Sequence, residues 1–144
     1  GVLKTYLHNT STAKIFKTKT TGNAGLVSPN PWNVEMESGG ITKEELFEEV
    51  KRGLYLTNTW YTRFQNYAKG DFSTIPRDGI FLIKNGQIEQ SLKDLRISDN
   101  ALSLLGNIAA VSKERQHVHW WEEVEPPCLS PYVLIKNFHV TRSR

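Results

Sequence analysis

Two histidines, His117 and His119, have the residue type and the spacing that could bind a metal ion. On a strand, side chains two positions apart project from the same face, so both imidazoles could share a metal ion. A metal centre needs a third and usually a fourth ligand, and the nearby candidates are the glutamates Glu122, Glu123 and Glu125. The pattern favours an exposed polar strand over a metal centre.

Other residues able to do chemistry lack the neighbours that they need. Cys128 is the single cysteine, which excludes an internal disulfide and is more typical of a small buried side chain than of a ligand. Neither Cys128 nor Ser73 has an identifiable base, and no G-x-S-x-G elbow or glycine-rich phosphate loop is present. We therefore predict no catalytic residue, no metal ligand and no bound cofactor in this chain.

The stretch 41–73 contains the clearest helix-to-strand pattern. Thr42 stands three residues before Glu45, the spacing at which a hydroxyl and a carboxylate cap a helix start reciprocally. Apolar residues then recur on one helical face, and acidic residues occupy the other. Gly53 is suited to the left-handed conformation that ends a helix, and "LYLT" follows with β-forming residues. We predict a short amphipathic helix that leads directly into a strand.

Strand and turn patterns dominate the rest of the chain. Asn85-Gly86 lies between two β-rich arms, as in a two-residue type I′ hairpin. Asp99 or Asn100 can cap a second helix, Ala101 to Val111, whose apolar residues predict burial. Further strands are predicted at Gly1–Leu7, in "NVEME" (33–37), through Val118–Trp121, and in "SPYVLIKNFHV" (130–140), where Tyr132–Ile135 is apolar enough to be central in a sheet. The pattern predicts an α+β fold with a mainly antiparallel β-sheet and two principal α-helices.

Aromatic residues alternate with cations in the segment "NTWYTRFQNYAK": Trp60, Tyr61, Arg63, Phe64, Tyr67 and Lys69. Such a mixture can stack the bases of a single-stranded nucleic acid. Aromatic residues on strands also pack on a core or on a partner surface, and we favour this second interpretation.

Composition is that of one globular domain, predicted to span residues 1–144. The formal net charge is only +3 and the basic residues are dispersed, which favours a solvated surface over a nucleic-acid patch. No stretch is apolar enough to span a bilayer, and a cytoplasmic location is the default expectation. The sequence opens on Gly1 and its one methionine is Met36, so we expect it to be part of a longer chain whose N-terminal domain is missing.

Six segments, in order, carry a resemblance to a known family. They are a "T-x-E-E-L" helix leading to "RGLYLT" and "GDFS", together with "GVLKTYLHNTSTAK", "TTGNAG", "GIFLIKNGQI", "NALSLLGNIAAV" and "SPYVLIKNFHV". The chain resembles, over nearly its whole length, the C-terminal domain of the TldD/PmbA family. That family comprises metalloprotease-like proteins that were once named modulators of DNA gyrase.

The resemblance implies a role in a zinc peptidase assembly without a metal site in this chain. TldD members carry an HExxxH helix upstream of this region and a further cysteine ligand in a "CGK" context. Here no histidine is followed by glutamate, and Cys128 stands in "PPCLSPY". These departures place the chain on the PmbA side of the family, also called TldE, whose members pair with a TldD chain that holds the zinc.

By resemblance, this chain shapes a peptide-binding cavity and the dimer interface. The expected partners are a TldD-like catalytic subunit or a second copy, and an extended peptide substrate. The candidate residues for the cavity wall or interface are Arg52, Gly53, Tyr55, Thr57, Gly70, Asp71, Phe72 and Ser73. Two alternatives stay open: a non-enzymatic module that binds nucleic acid or protein, and a part of a catalytic TldD-like peptidase with HExxxH upstream.

Overall fold

The computed structural model describes residues 2–120 and 124–142. Within them the elements are α1 Thr10–Ile15, β1 Val34–Glu35, α2 Lys43–Glu48, β2 Arg52–Asn66, β3 Asp71–Lys84, β4 Gln87–Ser91, β5 Leu95–Asn100, α3 Ala101–Gly106, β6 Ile108–Trp120, β7 Val124–Ile135 and β8 Val140–Arg142. The pairing is mostly antiparallel, so the predicted α+β class is confirmed. The described part has three helices of six residues each, where two principal helices were expected.

Strand β3 is the centre of the larger, five-stranded sheet, in which the strand order is β2-β3-β5-β8. β2 pairs along one edge of β3, whereas β4 and β5 pair with different parts of its other edge. A second sheet has the order β1-β7-β6, with β1 parallel to β7. A 15-residue strand at one end of a sheet is therefore a main feature of this fold.

The chain divides into two compact units. One comprises Gly1–Met36 with His117–Leu129, and the other comprises Glu37–Gln116 with Ser130–Arg144. The second unit holds the five-stranded sheet with α2 and α3, and the first holds α1. The single domain over residues 1–144 stays a prediction.

Helix α2 begins as the sequence predicts. The Glu45 N–H donates to Thr42 Oγ1 at 3.2 Å, and the Thr42 N–H donates to Glu45 Oε2 at 2.6 Å. The hydrogen bond from the Thr42 backbone, followed by that of its side chain, lowers the pKa of the Glu45 carboxyl below its usual 4.5. This reciprocal pair satisfies two amide groups that a helix start otherwise leaves open.

The end of α2 differs from the prediction. The helix stops at Glu48, and Gly53 lies inside β2 rather than in a left-handed cap. The Val50 N–H donates to Phe47 O at 3.0 Å, which makes the last turn a tight 3₁₀-type turn. The helical path therefore ends before Lys51. A Cβ on Gly53 would lie 2.7 Å from Val50 Cγ1, so the glycine permits the strand to leave close to this turn.

Removing the cap of α2 is expected to destabilise the second unit. Thr42→Ala removes the hydroxyl that accepts the Glu45 N–H, and such losses cost about 1 kcal/mol of folding free energy. Urea unfolding followed by circular dichroism measures this change. Thr42→Ser keeps a hydroxyl and is the matched control; equal losses in the two variants would contradict the capping argument.

The hairpin between β3 and β4 is confirmed. Asn85 and Gly86 have φ values of 49° and 77°, the positive values that a type I′ turn requires at both central positions. The Asn85 N–H donates to Lys51 O at 2.8 Å and the Gly86 N–H donates to Val50 O at 2.9 Å. The turn is thereby bound to the chain that follows α2.

The predicted second helix begins correctly but is too long. Asn100 Oδ1 accepts the Leu102 N–H at 3.0 Å and the Ser103 N–H at 3.2 Å, which confirms Asn100 as the cap. The helix ends at Gly106, and Ile108 already begins β6. Leu102 is 72% exposed, so the prediction of a buried helix is wrong. Gly106 weakens the helix, and the β-branched residues that follow favour a strand.

Two further strand predictions are corrected. Residues 2–7 form no strand: they are exposed, and they pair with no strand in the described part of the chain. The strand predicted at Val118–Trp121 is much longer, because β6 runs from Ile108 to Trp120; Trp121 lies outside the described residues. Pairing with β7 provides the partners that a polar sequence pattern does not reveal.

The core of the second unit lies on β3 and β5 and against α2. Its buried apolar side chains are Leu46, Phe72, Ile80, Ile83 and Ile97. Ser112 is fully buried as well; its hydroxyl donates to Glu114 O at 2.7 Å and accepts the Tyr132 N–H at 2.9 Å. In the described residues, no helix has the length and apolar character needed to cross a bilayer.

Candidate functional site

The eight residues predicted from sequence lie at opposite ends of the β2–β3 hairpin. Arg52–Thr57 begins β2, and Gly70–Ser73 forms the turn and the start of β3. Phe72 pairs with Phe64, nine residues along β2 from Tyr55. At about 3.3 Å per residue, Tyr55 and Phe72 are roughly 30 Å apart along the hairpin, and even the nearest members of the two groups, Thr57 and Ser73, are roughly 20 Å apart. The structure therefore places them in one hairpin but does not bring them together into one site.

Most side chains at the start of β2 hold the hairpin together. The Tyr55 ring centroid lies 5.1 Å from that of Phe47 and 6.1 Å from that of Phe81. Thr57 Oγ1 accepts the Gly79 N–H at 2.9 Å across a bulge in the β2–β3 pairing. Arg52 is exposed and thus open to a ligand. Side-chain recognition at this end is therefore available mainly to Arg52.

The side chains around the turn also serve the fold. Gly70 has a φ of 79°, the left-handed conformation that favours glycine. Asp71 Oδ1 accepts a hydrogen bond from Asn100 Nδ2 at 2.8 Å. Phe72 is buried, and the Ser73 hydroxyl, also buried, accepts a hydrogen bond from Arg96 Nη1 at 2.7 Å. These contacts give each of the four residues a role in the β3–β5 junction.

The main chain of β2 offers hydrogen-bonding groups along the outer edge of the five-stranded sheet. β2 is the terminal strand of its sheet, so along the described chain it pairs with β3 alone. In a strand, alternate residues direct their N–H and C=O groups to opposite edges. The outward groups of Arg52–Leu56 can therefore bind an extended chain by adding a strand. Hydrogen bonds to these groups would not depend on the side chains of a ligand.

A cation–aromatic cluster beside this edge has no counterpart in the sequence analysis. Lys43 Nζ lies 4.4 Å from the Tyr132 ring centroid and 5.7 Å from that of Tyr55, and donates to Tyr132 Oη at 3.4 Å. Burial alone lowers the pKa of the Lys43 ammonium, but the Tyr132 hydrogen bond and the electrostatic interactions with Tyr55, Tyr132 and Glu44 together raise it above 10.5. Lys43 and Tyr132 are 89 positions apart, so no local pattern could have found the cluster.

The aromatic segment further along β2 is partly covered by cations. The Arg77 guanidinium lies 4.2 Å from the Trp60 ring centroid, and that of Arg63 lies 4.1 Å from the Tyr61 ring centroid. Phe64 and Tyr67 stack on each other with centroids 5.2 Å apart. The rings therefore contact one another and neighbouring guanidinium groups, as expected of aromatic residues that pack on a protein surface.

The histidines and Cys128 do not assemble a metal centre in the described residues. His117 and His119 are exposed on β6, and the half-buried Cys128 is paired with Val34. Residues 2–120 and 124–142 contain no group of three or more histidine, cysteine, aspartate or glutamate side chains that could hold a metal ion. Glu122 and Glu123, two of the possible ligands, lie outside these residues. The ligand set that zinc needs is thus not met by the described side chains.

Sequence comparisons identify relatives along nearly the whole chain. The sequence model of the PmbA/TldA metallopeptidase C-terminal domain matches residues 1–142. A metalloprotease of Methanocaldococcus jannaschii is 34% identical over 119 residues, which are 79% of this chain and 26% of that protein. A PmbA homologue of Haemophilus influenzae, also named a metalloprotease, is 29% identical over 81% of this chain and 25% of its own length. The chain thus spans about a quarter of the length of the curated relatives that it matches.

Solved structures share the fold. A candidate modulator of a DNA gyrase from Thermotoga maritima matches with a TM-score of 0.83 and 31% identity over 98% of this chain and 31% of that chain. TldE from Thermococcus kodakarensis has the same fold, with a TM-score of 0.78 and 24% identity over 97% of this chain and 32% of that chain. The chain belongs to the TldD/PmbA family and corresponds to the C-terminal domain of its metallopeptidases.

Proposed function

We propose that this chain is the C-terminal domain of a TldE/PmbA-like subunit in a cytoplasmic TldD/TldE-type zinc metallopeptidase complex. The domain forms part of a peptide-binding cavity and of the dimer interface. The partner is a TldD-like subunit, which holds the zinc and supplies its Lewis-acid chemistry. The family match and the metalloprotease names of the relatives support the proposal.

One structural observation carries the peptide-binding part of this proposal, namely the position of β2 at the end of the five-stranded sheet. A long edge strand invites pairing with another chain, and folded proteins normally cover or disrupt such edges. An extended peptide satisfies the outward N–H and C=O groups without requiring a particular side chain. Broad selectivity for extended chains follows from this mode of binding.

The neighbouring side chains make this edge rigid. Tyr55 lies among Phe47, Phe81 and the Lys43 ammonium, so the first half of β2 is held from one face. A rigid strand loses little conformational entropy when a peptide adds to it, which favours binding. The exposed Arg52 adds a positive charge where such a peptide would end or begin.

Purification of the full-length protein from its native source, with mass spectrometry and zinc analysis, tests the complex. We expect a stoichiometric partner that carries HExxxH, with the zinc following that partner when the subunits are separated. Zinc bound by the parent protein alone would favour a catalytic TldD-like subunit instead. Recovery without partner and without zinc, but with nucleic acid, would contradict the peptidase role and favour the nucleic-acid-binding alternative.

Hydrogen exchange tests the edge itself. Addition of an unfolded peptide to the purified complex is expected to slow exchange at alternate amides within Arg52–Leu56, because only every second N–H points outward. The amides that already pair with β3 are the internal control, and their exchange is not expected to change. Unchanged exchange along the whole segment at saturating peptide would refute strand addition at β2.

A further inference from the structure

A gap in the five-stranded sheet forms a cavity on the edge of β3 opposite β2. β5 pairs with Asp71–Thr74 of β3, and β4 pairs with Phe81–Lys84. Residues 75–80 of β3 lie between these two pairings and have no strand partner on this edge. The connection from β4 to β5 passes beside them instead. The Leu92 N–H donates to Ile80 O at 2.7 Å and anchors this connection. The resulting cavity has a volume of about 340 Å³.

The cavity is lined by both apolar and charged residues. The apolar residues of the lining are Ile75, Pro76, Ile80, Leu92 and Leu95. The charged residues are the cations Arg77, Lys93 and Arg96 and the carboxylates Asp78 and Asp94. Three cations against two carboxylates leave a net positive charge. A ligand with an apolar body and one negative group would complement both kinds of residue.

Neighbouring residues hold the two guanidinium groups in place. Arg96 donates to the hydroxyl of Ser73, which is only 6% exposed, and Arg77 lies over the Trp60 ring. Neither arginine forms an ion pair with a carboxylate of the described residues. The Asp78 carboxylate instead accepts a hydrogen bond from Asn58, on the β2 side. Arg96 therefore retains N–H donors for an anion beyond the one that binds Ser73.

We propose that this cavity binds the C-terminal residue of a peptide. Its carboxylate pairs with the guanidinium group of Arg96, since the planar arginine fork matches a carboxylate in two parallel hydrogen bonds, and Lys93 and Arg77 add positive charge to the lining. Its apolar side chain packs against Ile80 and Leu95. The volume is near the lower end of ligand sites, which suits one or two residues better than a long acyl chain. This site lies on the other edge of β3 and does not rest on the zinc complex or on strand addition to β2.

Calorimetric titration of the full-length protein with acetyl-Ala-Leu and with its C-terminal amide tests the assignment. The free acid is expected to bind about tenfold more tightly than the amide, because the amide lacks the charge that the Arg96 guanidinium pairs with. Inorganic phosphate is the third probe and is expected to bind more weakly than the free acid, since it leaves the apolar residues of the lining in contact with water. The proposal would be overturned if the free acid and the amide bound equally well, or if phosphate bound as tightly as the free acid. It would also be overturned if the free acid did not bind at millimolar concentration.

Three variants locate the binding. Arg96→Gln is expected to weaken the binding of acetyl-Ala-Leu about tenfold, because glutamine retains a hydrogen-bond donor for Ser73 but lacks the positive charge. Lys93→Gln alters an exposed side chain, so folding is preserved, and weakens binding by about threefold through lost electrostatic attraction. Lys84→Gln, an exposed lysine paired with Glu89 outside the cavity, is the matched control and is expected to leave affinity unchanged. Unaltered binding in both cavity variants would place the ligand elsewhere and refute the assignment.

Discussion

Ile97→Ala is expected to lower the free energy of unfolding by about 3 kcal/mol. Ile97 has no exposed surface and lies in β5, between Thr74 of β3 and Val140 of β8. Alanine removes three carbon atoms from a position whose neighbours are fixed by strand pairing on both sides, so the cavity cannot close fully. The loss is a large fraction of the stability of an ordinary domain, about 5–15 kcal/mol.

Equilibrium urea unfolding measures the effect of Ile97→Ala, with the slope of the transition checked against that of the parent protein. Ile88→Ala is the matched control, since Ile88 lies on β4 and is 51% exposed. Its expected cost is below about 1 kcal/mol. Similar losses for both isoleucines would contradict the placement of the core at the β3–β5 junction.

Gly39→Ala is expected to cost about 3 kcal/mol or more, through overpacking against a strand. A Cβ at this position would stand 1.9 Å from the Val111 carbonyl oxygen, and backbone atoms cannot yield as the end of a flexible side chain can. The Gly39 N–H also donates to Ser112 O at 2.8 Å, so any displacement weakens a hydrogen bond beside the fully buried Ser112. The methyl group and this hydrogen bond cannot both be accommodated without moving β6.

Gly40→Ala is the control for this clash. A Cβ on Gly40 meets no heavy atom within 4 Å, so the substitution is expected to change stability by less than about 1 kcal/mol. Thermal unfolding of the two variants side by side separates the steric effect from the general loss of glycine flexibility. Comparable melting temperatures for both variants would show that Gly39 does not contact β6 closely.

The sequence alone determined features that depend on neighbouring residues. The capping box of Thr42 and Glu45, the Asn100 cap and the Asn85-Gly86 turn are each set by hydrogen bonds or φ values within a few positions, and all three are confirmed. The α+β class follows from the same local patterns. The family was also accessible, because ordered motifs along the chain carry it.

Only the tertiary structure decided where helices end and which strands meet. Ile108–Val111 has apolar residues at a spacing that suits a helix, yet these residues pair in a sheet, since strand partners far along the chain outweigh a weak local preference. The predicted wall residues are split between the ends of one long hairpin, which spacing along the chain could not reveal. Their role at a cavity or interface stays a prediction.

The edge of β2 and the cavity beside β3 also result from strand pairing between distant parts of the chain. β2 has an outer edge because it is the last strand of the five-stranded sheet, and β4 and β5 pair with the other edge of β3. The cavity with Arg77 and Arg96 exists because those two strands do not meet. Local sequence determined the caps and turns through short-range hydrogen bonds, whereas pairing between distant strands determined the outer edge of β2 and the cavity beside β3.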